Sequence, residues 1–447
     1  MDKYNELSKK YDTFIYDSYS LLHEDGKMKI TFHFKIPNLT EFNPTLVVDD
    51  FEINDFTKYL VFHIGMVELI SYWKCCCSKN VVIKAGYLND DQIKFFKKLY
   101  FNGLSELFYK NNIDVSIDNF MNISILCPES KISFPSYNGI GNLIPIGGGK
   151  DSNVTLEVLK SEFDINTCIV MNPKEVHFDC CKAASYNEDK IVVMKRTIDK
   201  NLLDLNSQGF INGHTPFSSL VAFTCFLEAY INNKRYIVLS NESSANESNI
   251  EGTNINHQYS KTYEFENDFN NYINKYFKID IKYFSILRPL TEYQIGMMFS
   301  NYKKYHKVFK SCNLGSKKNP WEWCNNCPKC LFVFTILSPF LYKDELVNIF
   351  GEDLFLREDL LNTFLELAGK SDQKPFECVG TYSEVRYAIS KTIRKSNKLP
   401  YLLQYYKDHY NLEDEGLNLE NKFNNEHNLD EHFLNLLKEE LSKCINK

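Results

Sequence analysis

The stretch that most constrains this chain is Asn142–Asn153, where an apolar run meets three glycines, a lysine, an aspartate and a serine. Leu143, Ile144 and Ile146 indicate a short buried strand, and apolar residues recur at helical spacing beyond Ser152. The three glycines lack a Cβ atom, so the backbone can turn tightly and point its N–H groups at an anion. The helix adds the positive end of its dipole. The stretch therefore predicts a strand, a phosphate-binding loop and a helix.

An aspartate in such a loop calls for a cation between its carboxylate and a phosphate, which indicates Mg²⁺ at Asp151. A Walker loop is disfavoured, because Asp151 follows Gly149 and Lys150 where that motif needs serine or threonine. The run instead resembles the pyrophosphatase loop, Ser-Gly-Gly-x-Asp-Ser, of enzymes that cleave ATP between its α- and β-phosphates, with glycine at the first position. The predicted nucleotide-binding residues of the loop are Gly147, Gly148, Gly149, Lys150, Asp151 and Ser152.

The charge balance disfavours a nucleic-acid binding protein, because the formal net charge is −7. The longest apolar run is too short to cross a bilayer, and the first ten residues lack the apolar core of a signal peptide. We therefore expect a cytoplasmic protein with neither a membrane nor a nucleic-acid partner. In such a compartment, clusters among the fourteen cysteines indicate metal binding or chemistry rather than disulfides.

Four cysteines have spacings that suit a metal ion. Cys324, Cys327 and Cys330 form two overlapping C-x-x-C turns, and Cys312 precedes them. Four thiolates can close a tetrahedral shell around zinc, and closed sulfur shells are structural rather than catalytic. An iron–sulfur cluster or a redox pair is the alternative. The adjacent cysteines at 75–77 cannot easily converge on one ion, so we expect them to be packing residues.

Three regions are predicted along the chain. Residues 1–135 form an α+β domain, because a strand pattern at Ile30–Ile36 is followed by further strand and helix signals. Residues 136–332 alternate strands with helices, which is typical of an α/β domain with a parallel sheet, and they end with the cysteine cluster. Residues 333–447 form a helical C-terminal region.

Polar residues after the predicted strands are further candidates, because ligands of open parallel sheets lie beyond the carboxyl ends of the strands. Asn241 and Glu242 directly follow one such strand and are expected at the nucleotide site, with a helix-capping loop as the alternative. His257, Tyr259 and Lys261 fall within five residues. This density of basic and proton-transfer groups favours a site over a solvated loop.

Cys378 lies between Glu377 and a Gly-Thr turn, in a segment that either reaches into the site or acts as a hinge. A carboxylate beside a thiol disfavours the thiolate. From its neighbours in sequence, Cys378 is therefore expected to be hard to deprotonate.

Five segments together are similar to one enzyme family. They are Ile144–Ser152, Ser240–Glu247, Asn256–Lys261 with Glu264–Glu266, Cys324–Cys330 and Lys374–Thr381. With the N-terminal region, they resemble the UDP-N-acetylmuramoyl-L-alanyl-L-glutamate epimerase family. The resemblance implies a nucleotide domain of the adenine nucleotide α-hydrolase (PP-loop) type. It also implies ATP- and Mg²⁺-dependent inversion of the terminal L-glutamate of a nucleotide-sugar peptide, a peptidoglycan precursor, in a bacterial cytoplasm.

The resemblance also implies a reaction sequence. The glutamate α-carboxylate is adenylated, a base removes the α-proton, the other face is reprotonated, and water releases AMP. His257, Tyr259, Lys261 and Cys378 are the implied proton carriers, with no choice among them. Lys150 or Lys261 offsets charge at the phosphates.

Two other functions are weighed against this one. A loop of this kind followed by four cysteines is also similar to 7-cyano-7-deazaguanine synthase, which adenylates a carboxylate and converts it to a nitrile. That family is much shorter and leaves residues 1–135 and the helical C-terminal region unexplained. A nucleic-acid binding or thiolating protein would need a basic groove, which the acidic balance disfavours.

Overall fold

The computed structural model describes residues 3–250, 252–253, 255–318, 322–371, 374–413 and 417–445. The extreme ends of the predicted N-terminal and C-terminal regions, 1–2 and 446–447, lie outside the described residues. The strands of the described residues are β1 Thr13–Glu24, β2 Lys27–Ile36, β3 Thr40–Phe42, β4 Thr45–Asp49, β5 Asn80–Ile83, β6 Asn122–Ile125, β7 Asn142–Pro145, β8 Asn166–Met171, β9 Ile191–Thr197, β10 Tyr236–Leu239 and β11 Lys282–Ser285.

The α-helices of the same residues are α1 Lys3–Lys10, α2 Asp55–Glu68, α3 Ile70–Trp73, α4 Asp90–Gly103, α5 Ser105–Lys110, α6 Lys150–Val158, α7 Glu175–Ala183, α8 Lys200–Ser207, α9 Phe217–Ile231, α10 Tyr263–Tyr276, α11 Glu292–Asn301, α12 Pro328–Leu337, α13 Lys343–Phe350, α14 Leu361–Leu367, α15 Tyr382–Lys395, α16 Tyr401–His409 and α17 Glu431–Ile445. The sequence pattern at 216–231 and at 384–394 favours a helix in each case, and the structure has α9 and α15 there.

All of these strands belong to one sheet, in the order β11-β10-β7-β8-β9-β4-β2-β1-β5-β6, with β3 paired to β2. Strands β11, β10, β7, β8 and β9 are parallel to one another in this order. Antiparallel pairing of β4 with β9 connects this parallel part to the N-terminal strands. The prediction of an α/β fold with a largely parallel sheet is confirmed, while the division of the chain into three regions stays a prediction.

Helices pack on both faces of the sheet. Successive strand residues point to opposite faces, so one strand contributes to two apolar cores. In β7, Leu143 joins one apolar core and Ile144 joins the other. Ile237 and Val238 of β10 divide in the same way. The first core contains residues of α2, α4, α9 and α10, and the second contains residues of α6, α11, α12 and α17. The two faces of the sheet are therefore covered by helices from distant parts of the chain.

The most apolar helices lie inside the protein. Helix α9 has 15 residues and α12 has 10, and both are buried around most of their circumference, which is typical of helices in the core of a large domain. In the part of the chain that the structure describes, no helix combines the length and the apolar character needed to cross a bilayer. The cysteines at 75–77 are fully buried in the first core, as expected for packing residues.

A buried ion pair connects α2 to β9. The Arg196 guanidinium donates from Nε to both carboxylate oxygens of Glu68, at 3.0 and 2.9 Å, and a second nitrogen donates to one of them at 2.9 Å. The Glu68 side chain is only 2% exposed and that of Arg196 11%. Such a bidentate pair is strong, and it is costly to leave half formed.

We predict that Glu68→Gln lowers the free energy of unfolding by about 3 kcal/mol, because it leaves the Arg196 charge buried without a counter-ion. The measurement is the midpoint of thermal unfolding followed by circular dichroism. Glu41→Gln is the control, since the pair of Glu41 with Lys35 is exposed and should contribute little. Equal midpoints for the two variants would contradict a structural role for the buried pair.

Candidate active site

The glycine loop between β7 and α6 is shaped by two of its three glycines. Gly148 has a φ of +76°, and a Cβ there would lie 3.2 Å from a Val176 methyl group. A Cβ on Gly149 would lie 2.7 Å from the Ser311 hydroxyl oxygen. A Cβ on Gly147 would meet nothing within 4 Å. The positive φ therefore favours glycine at 148, whereas a Cβ at 149 would require the Ser311 hydroxyl to move. The loop leaves open space beside 147, next to the N-terminus of α6.

Lys150 is enclosed by carboxylates. Its ammonium contacts Asp151 and Glu292, and the side chains of Lys150 and Glu292 are each 1% exposed. Burial raises the pKa of Glu292 to about 8. Burial also raises the pKa of Asp151, but the charges of Lys150, Lys329 and Lys261 together outweigh burial, and the net shift is downward. Since the Asp151 side chain keeps 24% exposure, its charged carboxylate is available to a cation, whereas Lys150 is held by its partners.

The carboxyl ends of β10 and β11 meet beside this loop. The Ser285 hydroxyl donates to the Asn241 carbonyl at 2.5 Å, and the Thr155 hydroxyl of α6 donates to that of Ser240 at 2.8 Å. Glu242 is 7% exposed, and its charge helps to raise the pKa of Lys150. The structure thus brings both predicted residues, Asn241 and Glu242, to the same edge of the sheet as the glycine loop.

Arg288 holds two of the site segments together. Its fully buried guanidinium donates to the Glu242 carbonyl at 2.9 Å, to the Lys261 carbonyl at 2.6 Å and to the Glu266 carboxylate at 3.1 Å. The sequence analysis did not identify this residue. The signal that could have found it is a lone charge directly after the apolar run of β11, because a buried charge needs partners.

The segment that carries Cys378 is anchored on two sides. The Lys374 ammonium contacts the Glu247 carboxylate, and the Lys329 ammonium, from α12, donates to the Cys378 carbonyl. Two segments of the family resemblance, Ser240–Glu247 and Cys324–Cys330, are therefore in contact with a third, Lys374–Thr381.

The Cys378 thiol lies within a cluster of basic groups. The Lys261 ammonium is 3.1 Å from its sulfur, and the His257 imidazole forms a hydrogen bond with the thiol. Burial raises the pKa of the thiol, but the Lys261 charge and the His257 bond outweigh burial and lower the pKa to about 6. The expectation that Cys378 is hard to deprotonate was wrong, because it considered only the neighbouring Glu377.

Two residues that the sequence analysis missed complete this cluster. Glu106 of α5 contacts Nδ1 of His257 and the Lys110 ammonium. Burial raises the pKa of Glu106, but these two bonds reverse the shift and lower it to about 2. The His214 ring lies 4.1 Å from the His257 ring, between centroids. No local motif marks either residue, since Glu106 is 151 positions from His257.

The same residues have ligand atoms close enough for a metal ion. Atoms of Glu106, His214 and His257 lie within 4.8 Å of one another. However, Lys110 contacts this glutamate, and Lys261 contacts the thiol that His257 also bonds. Because these ammonium groups already balance the negative charges, we interpret the group as a hydrogen-bonded array and not as a metal centre.

Tyr259 has a different environment from the other three predicted proton carriers. It is 6% exposed, it bonds the Asn102 side chain, and its ring lies 6.2 Å from that of Phe265. The structure thus brings His257, Lys261 and Cys378 together, and the contacts described for Tyr259 are with other residues. The prediction of a proton-transfer role for Tyr259 stays a prediction.

The four cysteines of the predicted metal site converge. The sulfur of Cys327 lies 3.8 Å from that of Cys312 and 3.4 Å from that of Cys330, and Cys324 and Cys330 are 3.8 Å apart. All four sulfur atoms lie within 4.8 Å of one another. A tetrahedral shell with Zn–S bonds of about 2.3 Å places its sulfurs about 3.8 Å apart. The geometry fits a structural zinc ion, which would connect the loop before α12 to its first turn.

Comparisons with known proteins agree along the chain. Residues 5–286 match the family model described as the MurL N-terminal domain, and residues 308–409 match the MurL C-terminal domain. Three curated relatives carry the name UDP-N-acetyl-alpha-D-muramoyl-L-alanyl-L-glutamate epimerase. The protein of Xanthomonas oryzae pv. oryzae is 32% identical over 73% of this chain and 72% of its own length. That of Micromonospora sp. is 31% identical over 86% and 88%, and that of Salinispora tropica is 30% identical over 86% and 86%.

We predict about one zinc ion per chain in the purified protein, measured by inductively coupled plasma mass spectrometry. Cys312→Ser should reduce the zinc content well below one and lower the unfolding midpoint, because it removes one of four ligands. Cys127→Ser is the matched control, as Cys127 is outside the cluster, and it should keep the metal. A fully folded protein without metal would contradict a structural site.

Proposed function

Because the chain belongs to the MurL family, we propose that it is an epimerase that inverts the α-carbon of the terminal L-glutamate of UDP-N-acetylmuramoyl-L-alanyl-L-glutamate. We further propose that it consumes ATP to do so, releases AMP and pyrophosphate, and acts in the bacterial cytoplasm on a peptidoglycan precursor. The observation that supports this best is the electrostatic interaction of Asp151, in the glycine loop, with Lys261, whose ammonium contacts the Cys378 sulfur. It joins a nucleotide site to a proton-transfer site.

The glycine loop suits the pyrophosphate part of ATP. The open space beside Gly147 is large enough for an added atom without a clash, and it adjoins the N-terminus of α6, where backbone N–H groups and the helix dipole favour an anion. The partly exposed Asp151 carboxylate is a suitable ligand for Mg²⁺. When bound, the ion would neutralise phosphate charge. We also propose that the nucleotide domain is of the PP-loop type.

Activation of the carboxylate must precede removal of the proton. Taking an α-proton beside a free carboxylate would create a dianion, whereas an acyl-adenylate presents a neutral carbonyl that accepts the electron pair of the C–H bond. A base then holds the proton, and reprotonation from the opposite face gives the D-glutamyl product. Water finally cleaves the acyl phosphate bond and regenerates the free carboxylate together with AMP.

Lys261 connects the adenylation step with the proton-transfer step. Its ammonium is 3.1 Å from the Cys378 sulfur, and the charges of Glu242 and Asp151 also help to raise its pKa. A cation in this position can stabilise negative charge that develops at either the phosphate or the acyl oxygen. His257, Lys261 and Cys378 are thus the proposed proton carriers, with Lys150 kept in its own carboxylate contacts.

The nitrile-forming alternative has less support. It leaves residues 1–135 unexplained, whereas the N-terminal family model begins at residue 5 and extends through the glycine loop. The cluster around Cys378 also includes Glu106 from the N-terminal part of the chain. A reaction at the α-carbon gives these groups a role that conversion of a carboxylate to a nitrile does not require.

We expect incubation with UDP-N-acetylmuramoyl-L-alanyl-L-glutamate, ATP and Mg²⁺ in heavy water to give AMP, pyrophosphate and a product with deuterium at the glutamate α-carbon. Nucleotides are read by anion-exchange chromatography, and deuterium by mass spectrometry. AMP without deuterium would reject the epimerase and favour carboxylate activation for another purpose. Deuterium without ATP would reject the adenylation step.

We predict that Asp151→Asn lowers AMP formation by about 10²-fold or more, because it removes the proposed Mg²⁺ ligand at a site of developing charge. Asp164→Asn is the control, since Asp164 is exposed and lies outside the loop. Circular dichroism of both variants checks the fold. Normal turnover of the folded Asp151 variant would remove the loop aspartate from the mechanism.

A further inference from the structure

Three side chains from distant parts of the chain form a continuous series of contacts. The Glu106 carboxylate contacts Nδ1 of His257, and the His257 ring bonds the Cys378 thiol. Since Nδ1 is occupied by the carboxylate, Nε2 is the ring nitrogen left for the sulfur. A thiol, a base within hydrogen-bond reach and a third group that orients the base are the arrangement by which enzymes activate a sulfur atom.

The surroundings of the three residues strengthen these contacts. The Glu106 side chain is 7% exposed and that of His257 is 16% exposed, so the charges interact in a medium of lower effective dielectric constant than water. The Lys261 ammonium lies 3.1 Å from the sulfur, and the positive charge of Lys329 also lowers the pKa of the thiol. A negative sulfur is therefore favoured.

The other titratable groups near the array leave this balance intact. Lys110 contacts Glu106 and keeps that carboxylate ionised. The His214 ring is tilted against the His257 ring, and burial together with the His257 charge lowers the pKa of His214 to about 3, so it remains neutral. Lys74 and Lys261 also disfavour the charged form of His214. Glu377, next to Cys378, is bonded to the Asn313 amide.

We propose that Glu106 is a positioning residue which, through His257, keeps Cys378 as a thiolate, and that this thiolate removes the substrate α-proton. In the resting protein one proton resides on the imidazole and the negative charge resides on sulfur, so the total charge is unchanged. During the reaction the sulfur takes the α-proton, and the electron pair of the C–H bond moves to the activated carbonyl. The removal of the α-proton by this thiolate rests on the proposed function, whereas the presence of the thiolate does not.

The direction in which removal of Glu106 shifts the pKa of Cys378 distinguishes this proposal from a direct charge effect. Acting through space alone, a carboxylate disfavours a thiolate, so its removal would lower the pKa of Cys378. Acting through His257, it stabilises the imidazolium that in turn stabilises the thiolate, so its removal would raise the pKa. Opposite signs are therefore expected from the two explanations.

The test is the pH dependence of Cys378 alkylation by iodoacetamide in the full-length protein without substrates, quantified by peptide mass spectrometry. In the wild type the rate should be half-maximal near pH 6. In Glu106→Gln the half-point should rise by about one pH unit or more, which is about a tenfold smaller thiolate-to-thiol ratio at a given pH near neutrality. Cys127, half-buried and remote from the array in its described contacts, is the internal reference and should not shift.

Three further variants complete the experiment. His257→Asn should raise the half-point, and adding Glu106→Gln to it should raise the half-point no further, because the relay is already broken. Glu106→Asp keeps the charge and should lie between the wild type and Glu106→Gln. It also provides a folded variant should the amide disrupt α5. An unchanged or lower half-point in folded Glu106→Gln would overturn the proposal.

Metal analysis and turnover give independent results. A second metal ion per chain that is lost in His214→Asn would overturn the proposal in favour of a metal centre. If the alkylation half-points shift as expected but no α-deuterium is found with substrate, the thiolate relay stands and the proposed epimerase function fails. If deuterium exchange occurs in Cys378→Ala at the wild-type rate, the thiolate is not the base, since loss of a general base costs about 10²-fold or more.

Discussion

The arrangement of the candidate site depends on the hydrogen bonds and the ion pair that the Arg288 guanidinium forms. This guanidinium is fully buried, and a buried charge is tolerated only when it is paired and hydrogen-bonded. Its partners are two carbonyls in separate loops and the carboxylate at Glu266 in α10. Moving either loop would leave part of a buried cation without partners. The loop after β10 and the segment before α10 are therefore fixed relative to each other, and they carry Glu242 and Lys261 with them.

Local patterns predicted much of the fold and part of the candidate site. The glycine loop, the cysteine turns and helices such as α9 depend on residues close in sequence, and apolar periodicity or spacing reveals them. The charge state of Cys378, in contrast, depends on residues that are distant in sequence. Lys261, which lowers the pKa of Cys378 more than any other group does, is 117 positions away, and Glu106 lies 151 positions from His257. These contacts follow from how the sheet orders its strands, which no local pattern contains.

The two parts of the candidate site obtain their residues in different ways. The glycine loop and its neighbours come from the carboxyl edge of β7, β10 and β11, as is usual for parallel sheets. The group of Glu106, His257 and Cys378 instead combines a helix of the N-terminal part, the segment before α10 and the anchored segment at Cys378. Because Arg288 bonds the carbonyls of Glu242 and Lys261, both parts share one rigid support.

The antiparallel pairing of β4 with β9 bears on how the protein can be divided. A chain that began at β7 would leave β9 as an edge strand, with a row of unpaired N–H and C=O groups facing solvent. It would also lose the Glu68 partner of Arg196. Such a fragment would tend to associate through strand addition instead of remaining monomeric. The N-terminal strands thus act as a cap on the sheet, in addition to supplying the helix that bears Glu106.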